Sequence, residues 1–454
     1  MEGNMRILLV GGGKVGRTLI SQLAKENHDI TVIDTSETVI RDIVRIYDVI
    51  GIVGNGTSHE ILEEADIEHT DVLIAVTDMD EVNLLCCVIA RQKHECHTIA
   101  RVRNPVYSKE RHFLRSELEL SMTINPELEA AREIARLLQF PNAIEIDSFA
   151  KDSVDLLRFK TTAGQLTGVA LRDLSQKISH NILVCMAEKK GRITIPDGNY
   201  VIEEGDILTI IAMPGEAEKF FRRIGVRTNK VKDTLIVGGG GITYYLTEIL
   251  LKMGIDVKII EQKRSRCEEL SAMFPEAVVD QGDGSDQDLL NEEHLEEMDS
   301  LVACTGIDEV NAILSLYAQK KVHTKVVTKL NHLEFNEVIR TLDLDSVVNP
   351  KLLTAQRILQ YVRAMHNGLG SNVETLYRLM DGQVEALEFI VQPGSDMTDI
   401  RLADMRLKKN VLIAGILRNF RLIIPGGQDR FFEGDSVIVV TTNIGFGDIH
   451  DILA

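Results

Sequence analysis

The chain has 454 residues, 44 % hydrophobic and 26 % charged, with nine prolines and no low-complexity tract, so two to four folded domains are expected rather than one core. A formal charge of −19 argues against general affinity for nucleic acid or anionic lipid, both of which need a basic footprint. No apolar run reaches the roughly 18 to 20 residues of a membrane span, and Met1 to Arg6 opens no signal-peptide core, so a soluble chain without direct membrane insertion is expected.

Four apolar runs, Ile7 to Val10, Ile30 to Ile33, Val49 to Val53 and Val72 to Val76, predict buried parallel strands separated by helical patterns. Short strands near Thr98 to Val102 and Met122 to Ile124 would complete a six-stranded doubly wound sheet, closed by a helix over Glu127 to Leu138. Between the first strand and the first helix stands Gly11-Gly12-Gly13-Lys14-Val15-Gly16, a G-x-G-x-x-G loop in the context that gives it meaning. Gly11 permits the tight turn, Gly13 lets the backbone approach a pyrophosphate, and Gly16 lets the helix pack close on the strand. The helix start at Lys14 and Val15 offers free N–H groups and a positive dipole end to phosphates.

Asp34 lies 18 residues past Gly16 and ends the second strand, where a carboxylate accepts hydrogen bonds from ribose hydroxyls. It should repel a 2′-phosphate, which favours the unphosphorylated ribose of NAD or ATP over NADP. Gly54-Asn55-Gly56-Thr57 follows the third strand, Thr77-Asp78 the fourth, and Asn83 opens the next helix. Arg101 and Arg103 follow the fifth strand, placed to bind phosphate oxygens bidentately.

From about Asp147 the pattern turns β-rich, with strands over Asp155 to Phe159, Ile182 to Ala187, Arg192 to Ile195 after a Lys189-Lys190-Gly191 turn, and Ile207 to Ala212. A helix near Leu171 to Ile178 completes a small α+β domain. The turn Glu203-Glu204-Gly205-Asp206 is expected to be solvated rather than to hold a cation.

The second half repeats the first. Leu9-Val10-Gly11-Gly12-Gly13 returns as Ile236-Val237-Gly238-Gly239-Gly240, and Val32-Ile33-Asp34 as Ile259-Ile260-Glu261, both 227 positions on. Gly54 matches Gly282, Thr77 matches Thr305, Asn83 matches Asn311 and Arg101 matches Lys329 at 228, and Gly205-Asp206 answers Gly434-Asp435. The fold class is therefore α/β: two Rossmann-like doubly wound parallel sheets, each followed by a small α+β domain, in tandem duplication. The expected domains are 1–140, 147–227, 232–365 and 372–454. In the second glycine loop Thr243 replaces the third glycine, so its helix must sit farther from the strand, and Glu261 replaces Asp34 with one more methylene.

Six scattered cysteines without CxxC pairs suit a reducing compartment, and His94-Glu95-Cys96-His97 lacks a second half with zinc-like spacing. Tyr317 and Lys321 satisfy Y-x-x-x-K, but too soon after the glycine loop for a short-chain reductase, and Ile89 stands at the matching place in the first half. With no other acid-base or nucleophile pattern, a binding role is favoured over an NAD-dependent oxidoreductase with two Rossmann domains, the alternative.

The glycine loop, Asp34, Gly54-Asn55-Gly56-Thr57, Ala75-Val76-Thr77-Asp78 with Asn83, and Ala100-Arg101-Val102-Arg103-Asn104-Pro105 together resemble the RCK (KTN) domain. Followed by a small RCK C-terminal domain and then duplicated, the chain resembles the regulatory subunits of Trk potassium uptake. The resemblance implies a non-enzymatic cytoplasmic protein, peripheral on the inner face of the cell membrane. It implies a homo-oligomeric ring, usually a tetramer, under a membrane potassium transporter subunit of the TrkH, TrkG or KtrB kind. NAD or NADH and ATP or ADP would compete for its clefts. Carried over, the binding positions are Gly11, Gly13, Gly16, Asp34, Asn55, Thr77 and Arg101, then Gly238, Gly240, Glu261, Asp283, Thr305 and Lys329.

Overall fold

The computed structural model describes residues 4–26, 28–149, 154–162, 166–177, 182–189, 191–213, 216–224, 231–322, 324–332, 342–367, 373–379, 383–419 and 421–454. The Lys190 turn, Ile178, the opening Met1 to Gly3 and the expected boundaries at 227 and 372 lie outside the described residues. Two compact units emerge: Met1–Arg132 with Asn349–Val362, and Glu133–Val348 with Arg363–Ala454.

The first unit runs β1 (Arg6–Val10), α1 (Lys14–Leu23), β2 (Asp29–Asp34), α2 (Glu37–Ile46), β3 (Ile50–Val53), α3 (His59–Glu64), β4 (Val72–Ala75), α4 (Asp80–Lys93), β5 (His97–Arg101), α5 (Pro105–Lys109), α6 (Arg111–Glu117), β6 (Met122–Ile124) and the start of α7 (Pro126–Gln139). Its sheet is parallel in the order β3-β2-β1-β4-β5-β6. Helices cover both faces, so β4 is buried at every residue and reads as a continuous apolar run rather than an alternation. The strand order reverses between β1 and β4, the place where open α/β sheets take ligands.

The second unit carries the rest of α7, then β7 (Glu145–Phe149), β8 (Val154–Lys160), α8 (Leu171–Lys177), β9 (Ile182–Lys189), β10 (Arg192–Thr194), β11 (Ile207–Ala212) and α9 (Glu216–Arg223). A second Rossmann sheet follows: β12 (Asp233–Val237), α10 (Gly241–Lys252), β13 (Asp256–Glu261), α11 (Arg264–Met273), β14 (Val278–Gln281), α12 (Gln287–Glu292), β15 (Ser300–Ala303), α13 (Asp308–Ala318), β16 (Lys325–Lys329) and β17 (Ser346–Val348). After α14 (Pro350–Asn367) come β18 (Val373–Leu379), β19 (Val384–Ile390), β20 (Val411–Arg418), β21 (Arg421–Ile423) and β22 (Ser436–Thr441). The parallel sheet is ordered β14-β13-β12-β15-β16-β17, and the two small antiparallel sheets β10-β9-β11-β8-β7 and β21-β20-β22-β19-β18, the same path twice.

The two small sheets share one core, in which Val154, Leu156, Met186 and Ile211 meet Ala386, Ala414, Ile438 and Val440. It covers one face of β22, while Val437 and Val439 on the other face pack with Phe389 and Phe431, so β22 is buried at every residue. The edge strands β7 and β18 were not legible as strands, because β7 follows directly on the end of a helix and neither bears a strong apolar run.

Both acidic turns are solvated at Glu203-Glu204-Gly205 and Phe432-Glu433-Gly434 as expected, but the aspartate that closes each is buried. Asp206 is 2 % exposed and accepts from Tyr200 Oη at 2.8 Å and Glu203 N at 2.9 Å. Asp435 accepts two bonds from Arg418, at 2.8 and 2.7 Å, and one from Phe432 N at 2.8 Å. Each carboxylate turns inward and clamps its own loop, while Gly205 and Gly434 take positive φ of 85° and 80° beside it.

Candidate nucleotide sites

Register brings the site residues to one sheet edge. Val10 pairs with Ile33 and with Ala75, and Ala75 with Ala100, so Asp34 and Arg101 end, and Gly11 and Thr77 follow, strands that stop nearly level. Gly11 has φ +105°, and a Cβ there would lie 2.9 Å from Thr77 N. A Cβ on Gly16 would lie 2.0 Å from Gly11 O, so helix and strand could not approach this closely with any side chain there. Gly13 is different: it caps α1, and nothing lies within 4 Å of its Cβ position. It leaves open space above the Lys14 and Val15 end of the helix, whose first amides have no intrahelical partners.

Asp34 is held in place before any ligand arrives. Its Oδ2 accepts from Gly12 N at 2.7 Å and its Oδ1 from Ser36 N at 2.8 Å, leaving further lone pairs for a ribose hydroxyl. The neighbouring loop hangs on the same strand end through Gly54 N to Asp34 O at 2.9 Å. Within it, Asn55 Oδ1 accepts from Thr57 N at 3.1 Å and Thr57 Oγ1 at 3.0 Å, setting the turn.

Asn83, fully buried, ties β4 to β5. Its Oδ1 accepts from Thr77 N at 2.8 Å and Thr77 Oγ1 at 2.7 Å, and its Nδ2 donates to Thr77 O at 3.1 Å and Arg101 O at 3.0 Å. That is the full capacity of one amide side chain. Arg101, 8 % exposed, reaches Thr77 O and Asp78 Oδ1 through Nη1, both at 3.4 Å. Its buried Nε has no hydrogen-bond partner. Burial lowers its pKa from the ordinary value and Arg103 adds to this, while Glu127 and Asp78 oppose it. A guanidinium so placed is under-supplied with acceptors, which an anion would provide.

The second cleft repeats this framework. Gly238 has φ +106° and Gly240 again caps its helix over open space. Glu261 spans the same two amides with its longer arm, from Gly239 N at 2.6 Å and Lys263 N at 2.8 Å. Asp283 takes the place of Asn55, accepting from Ser285 N at 3.0 Å and Ser285 Oγ at 2.7 Å. These two bonds hold its carboxyl below the ordinary value. Asn311 binds Thr305 and Lys329 as Asn83 binds Thr77 and Arg101, and Lys329 Nζ donates to Thr305 O at 2.6 Å. Thr243 is fully buried and its Oγ1 donates to Gly238 O, so a hydrogen bond stands where the first loop has close contact.

Sequence reasoning passed over one pair of residues. Asp80 Oδ2 accepts from Arg103 N at 2.8 Å and Asn104 N at 2.7 Å, and Asp308 Oδ2 accepts from Asn331 N at 2.8 Å and His332 N at 2.9 Å. Burial alone would raise the Asp308 pKa, yet these bonds bring it below the ordinary value. Each aspartate pins the loop after the fifth strand to the helix after the fourth. The signal was available, since the two stand 228 positions apart like the other matched residues. Of the Y-x-x-x-K pair, Lys321 is spent on an ion pair with Glu296. The cysteines are buried thiols, Cys86 and Cys185 each pushed up to about 12 by desolvation, which leaves them poor nucleophiles.

Two doubly wound sheets, each with a glycine loop, an acid ending the second strand and a cation ending the fifth, define a tandem Rossmann-fold protein. The TrkA-N domain model matches residues 7–126 and 234–350, and the TrkA-C domain model residues 157–225 and 386–453. The chain belongs to the TrkA family of potassium-transport regulatory proteins, built from these two domains in tandem. It is 30 % identical over 444 residues to Trk system potassium uptake protein TrkA homolog 1 of Methanosarcina mazei, covering 96 % of this chain and 97 % of that protein. It is 27 % identical over 443 residues to the Trk system potassium uptake protein TrkA of Haemophilus influenzae, covering 96 % and 95 %. Among solved structures, the GsuK channel bound to NAD superposes with a TM-score of 0.64 at 17 % identity, over 97 % of this chain and 77 % of that one. The GsuK RCK domain does so at 0.63 and 17 % identity, over 96 % and 92 %. At such identities the likeness is one of fold. No helix among the described residues is long and apolar enough to cross a membrane.

Proposed function

We propose that this protein is a cytoplasmic regulatory subunit, peripheral on the inner face of the cell membrane, that gates a potassium channel or transporter as NAD(H) and ATP or ADP exchange in its clefts. The observation that carries this is Arg101: a buried guanidinium at the cleft edge whose Nε lacks a hydrogen-bond partner, opposite a carboxylate pre-set for ribose. The binding residues are those of the two frameworks, Gly11, Gly13, Gly16, Asp34, Asn55, Thr77 and Arg101 with their counterparts Gly238, Gly240, Glu261, Asp283, Thr305 and Lys329. The four-domain division, 1–140, 147–227, 232–365 and 372–454, belongs to the same proposal. So does a role without catalysis, supported by the engagement of Lys321 with Glu296.

A switch requires that each nucleotide bind two conformations with different affinity. A γ-phosphate and a nicotinamide riboside leave the same adenosine anchor in different directions, and Arg101 is the group placed to tell them apart. Arg101→Ala is expected to weaken ATP by about 10- to 100-fold, the worth of a hydrogen bond to a charged group, and NADH by much less. Equal losses in parallel titrations would sink this assignment. A thermal-shift panel of NAD, NADH, ATP, ADP and NADP tests the reading as a whole, because a ligand of the folded state raises apparent stability. Silence across the panel would reject it.

Ring assembly is supported by apolar residues left uncovered at matched places. Met79 and Leu85 are 59 % and 48 % exposed, and Ile307 and Ile313, 228 positions on, 57 % and 69 %. Val106 and Phe113, also in the first half, are 67 % and 60 % exposed. Exposed apolar clusters of this kind mark association surfaces. Leu85→Asp combined with Ile313→Asp is expected to shift the particle mass in light scattering from that of an oligomer to that of smaller species, with the Tm of the chain little changed. An unaltered mass would place the contact elsewhere.

A further inference from the structure

The two clefts differ most at the corner where the glycine loop meets the end of the second strand. In the first, Val39 and Ile43 pack under Gly12: a Cβ on that glycine would lie 2.6 Å from Val39 Cγ1 and 2.7 Å from Ile43 Cδ1. In the second, Leu270 keeps the place of Ile43, but Arg266 stands where the first half has Val39. Asp34 is followed by Thr35-Ser36-Glu37-Thr38-Val39, Glu261 by Gln262-Lys263-Arg264-Ser265-Arg266. One corner has two acids and no cation in that stretch, the other three cations after its single acid.

Geometry makes these cations more than a solvated surface. Arg266 Nε donates to Gly239 O at 2.6 Å and Nη1 to Glu269 Oε2 at 2.8 Å. Those bonds fix the guanidinium plane against the glycine loop, and Nη2 donates to no group among the described residues. Lys263 is exposed, and its ammonium forms no ion pair among the described residues. Arg264 is turned to Glu268 at 3.0 Å and adds only its field. The Glu261 carboxylate is bonded to two backbone amides just as Asp34 is, so what distinguishes this corner is the cations that follow the acid.

We propose that the second cleft takes an adenine nucleotide carrying a phosphate on its adenosine ribose, with Arg266 and Lys263 as its specificity-determining residues. The proposal rests on the nucleotide-binding reading above and assigns the two clefts different ligands. The ribose of a dinucleotide lies beside the acid that ends the second strand, and an arginine near that point accommodates a ribose phosphate. The phosphate monoester would meet the unspent Nη2 of a guanidinium already oriented, so little side-chain freedom is lost on binding. In the first cleft the same group would meet Asp34 and Glu37, and Val39 offers it nothing.

The test is calorimetric titration of the full chain carrying Gly13→Asp, which closes the first cleft to phosphates, with NADH, NADPH and coenzyme A as probes. NADPH carries the ribose phosphate at the 2′ position and coenzyme A at the 3′. At least one of the two is expected to bind about 10-fold or more tightly than NADH, as hydrogen bonds to a charged group are worth. Arg266→Val, restoring the residue of the first half, is expected to weaken the preferred probe by about 10-fold or more and to erase its advantage over NADH. A preference for NADPH or for coenzyme A supports the proposal and identifies the position of the phosphate. NADH bound equally well or better, or a preference that survives Arg266→Val, overturns it. Binding of NADH by the parent chain with no probe bound after Gly13→Asp also overturns it, yet leaves the first cleft as a nucleotide site. No binding by the parent chain would instead remove the reading beneath it.

Discussion

A chain carrying Gly13→Asp is expected to bind NADH and ATP at the first cleft about 100-fold or more weakly while melting no lower than its parent. Gly13 has φ −67° and ψ −165°, extended backbone that any residue adopts. Its Cβ position has nothing within 4 Å, so the new side chain displaces no neighbour. Aspartate is moreover a good N-cap, and a negative charge suits the start of α1. The same oxygens would stand where a pyrophosphate meets the helix amides. Two like charges about 4 Å apart cost about 4 kcal/mol at an effective dielectric constant of 20. Binding and melting measured on one preparation separate the two effects. Unaltered affinity would show that phosphates do not lie over α1, and a fallen Tm would show that Gly13 serves packing instead.

The largest loss of stability is expected from Asp345→Ala. Lys325 Nζ is fully enclosed, with Ala143 O at 2.6 Å and Asp345 Oδ1 at 2.9 Å, while Asp345 Oδ2 also accepts from Val326 N at 3.0 Å. Removing the carboxylate leaves a buried ammonium facing one neutral oxygen, a change that costs about 3–5 kcal/mol. Burial already lowers the Lys325 pKa, and Asp345 opposes that shift. A lysine whose folded pKa lies below its unfolded value releases its proton on folding between the two, so stability rises with pH in that window. Without Asp345 the window widens downward. The deficit of Asp345→Ala should therefore be greatest near neutral pH and shrink as the pH approaches 10.5, the ordinary lysine value. Melting curves at about pH 7 and about pH 9.5 check this, and a deficit that does not vary with pH would mean the charge is not its cause. Lys325→Met with Asp345→Leu should recover most of the loss, because an apolar pair replaces the ions without an orphan.

What the sequence disclosed and what it withheld divide along the range of the interaction. The glycine loop, Asp34 and the apolar runs of β1 to β4 depend on neighbours a few residues away, and the periodicity shows them directly. The duplicated small sheets were legible for the same reason, apart from β7 and β18 at their edges. The work of Asn83 was not, since its partners Thr77 and Arg101 come together only when β4 and β5 pair. Lys325 could not be recognised as buried, because a lysine among valines at the start of β16 looks like an edge residue until Ala143 covers it. Arg266 was seen only as one of several charges after Glu261, and its meeting with Gly239 requires α11 to lie back on the glycine loop. Nor does any local pattern announce that Asn349–Val362 counts with the first unit, where Tyr361 Oη stands 3.3 Å from His97 Nδ1.

Asn349–Val362, from the second copy, counts with the first unit, and both copies lie in one chain. Two identical chains that exchanged such a segment would form a symmetric pair. In such a pair every substitution is written into both clefts at once, and neither can change without its twin. Joined end to end, the copies mutate singly. Thr243, Glu261, Lys329 and Arg266 stand opposite Gly16, Asp34, Arg101 and Val39, four departures that a symmetric pair could not hold on one side alone. Cutting the chain between the halves would separate the first unit from Asn349–Val362, so the two copies stay in one chain while free to diverge.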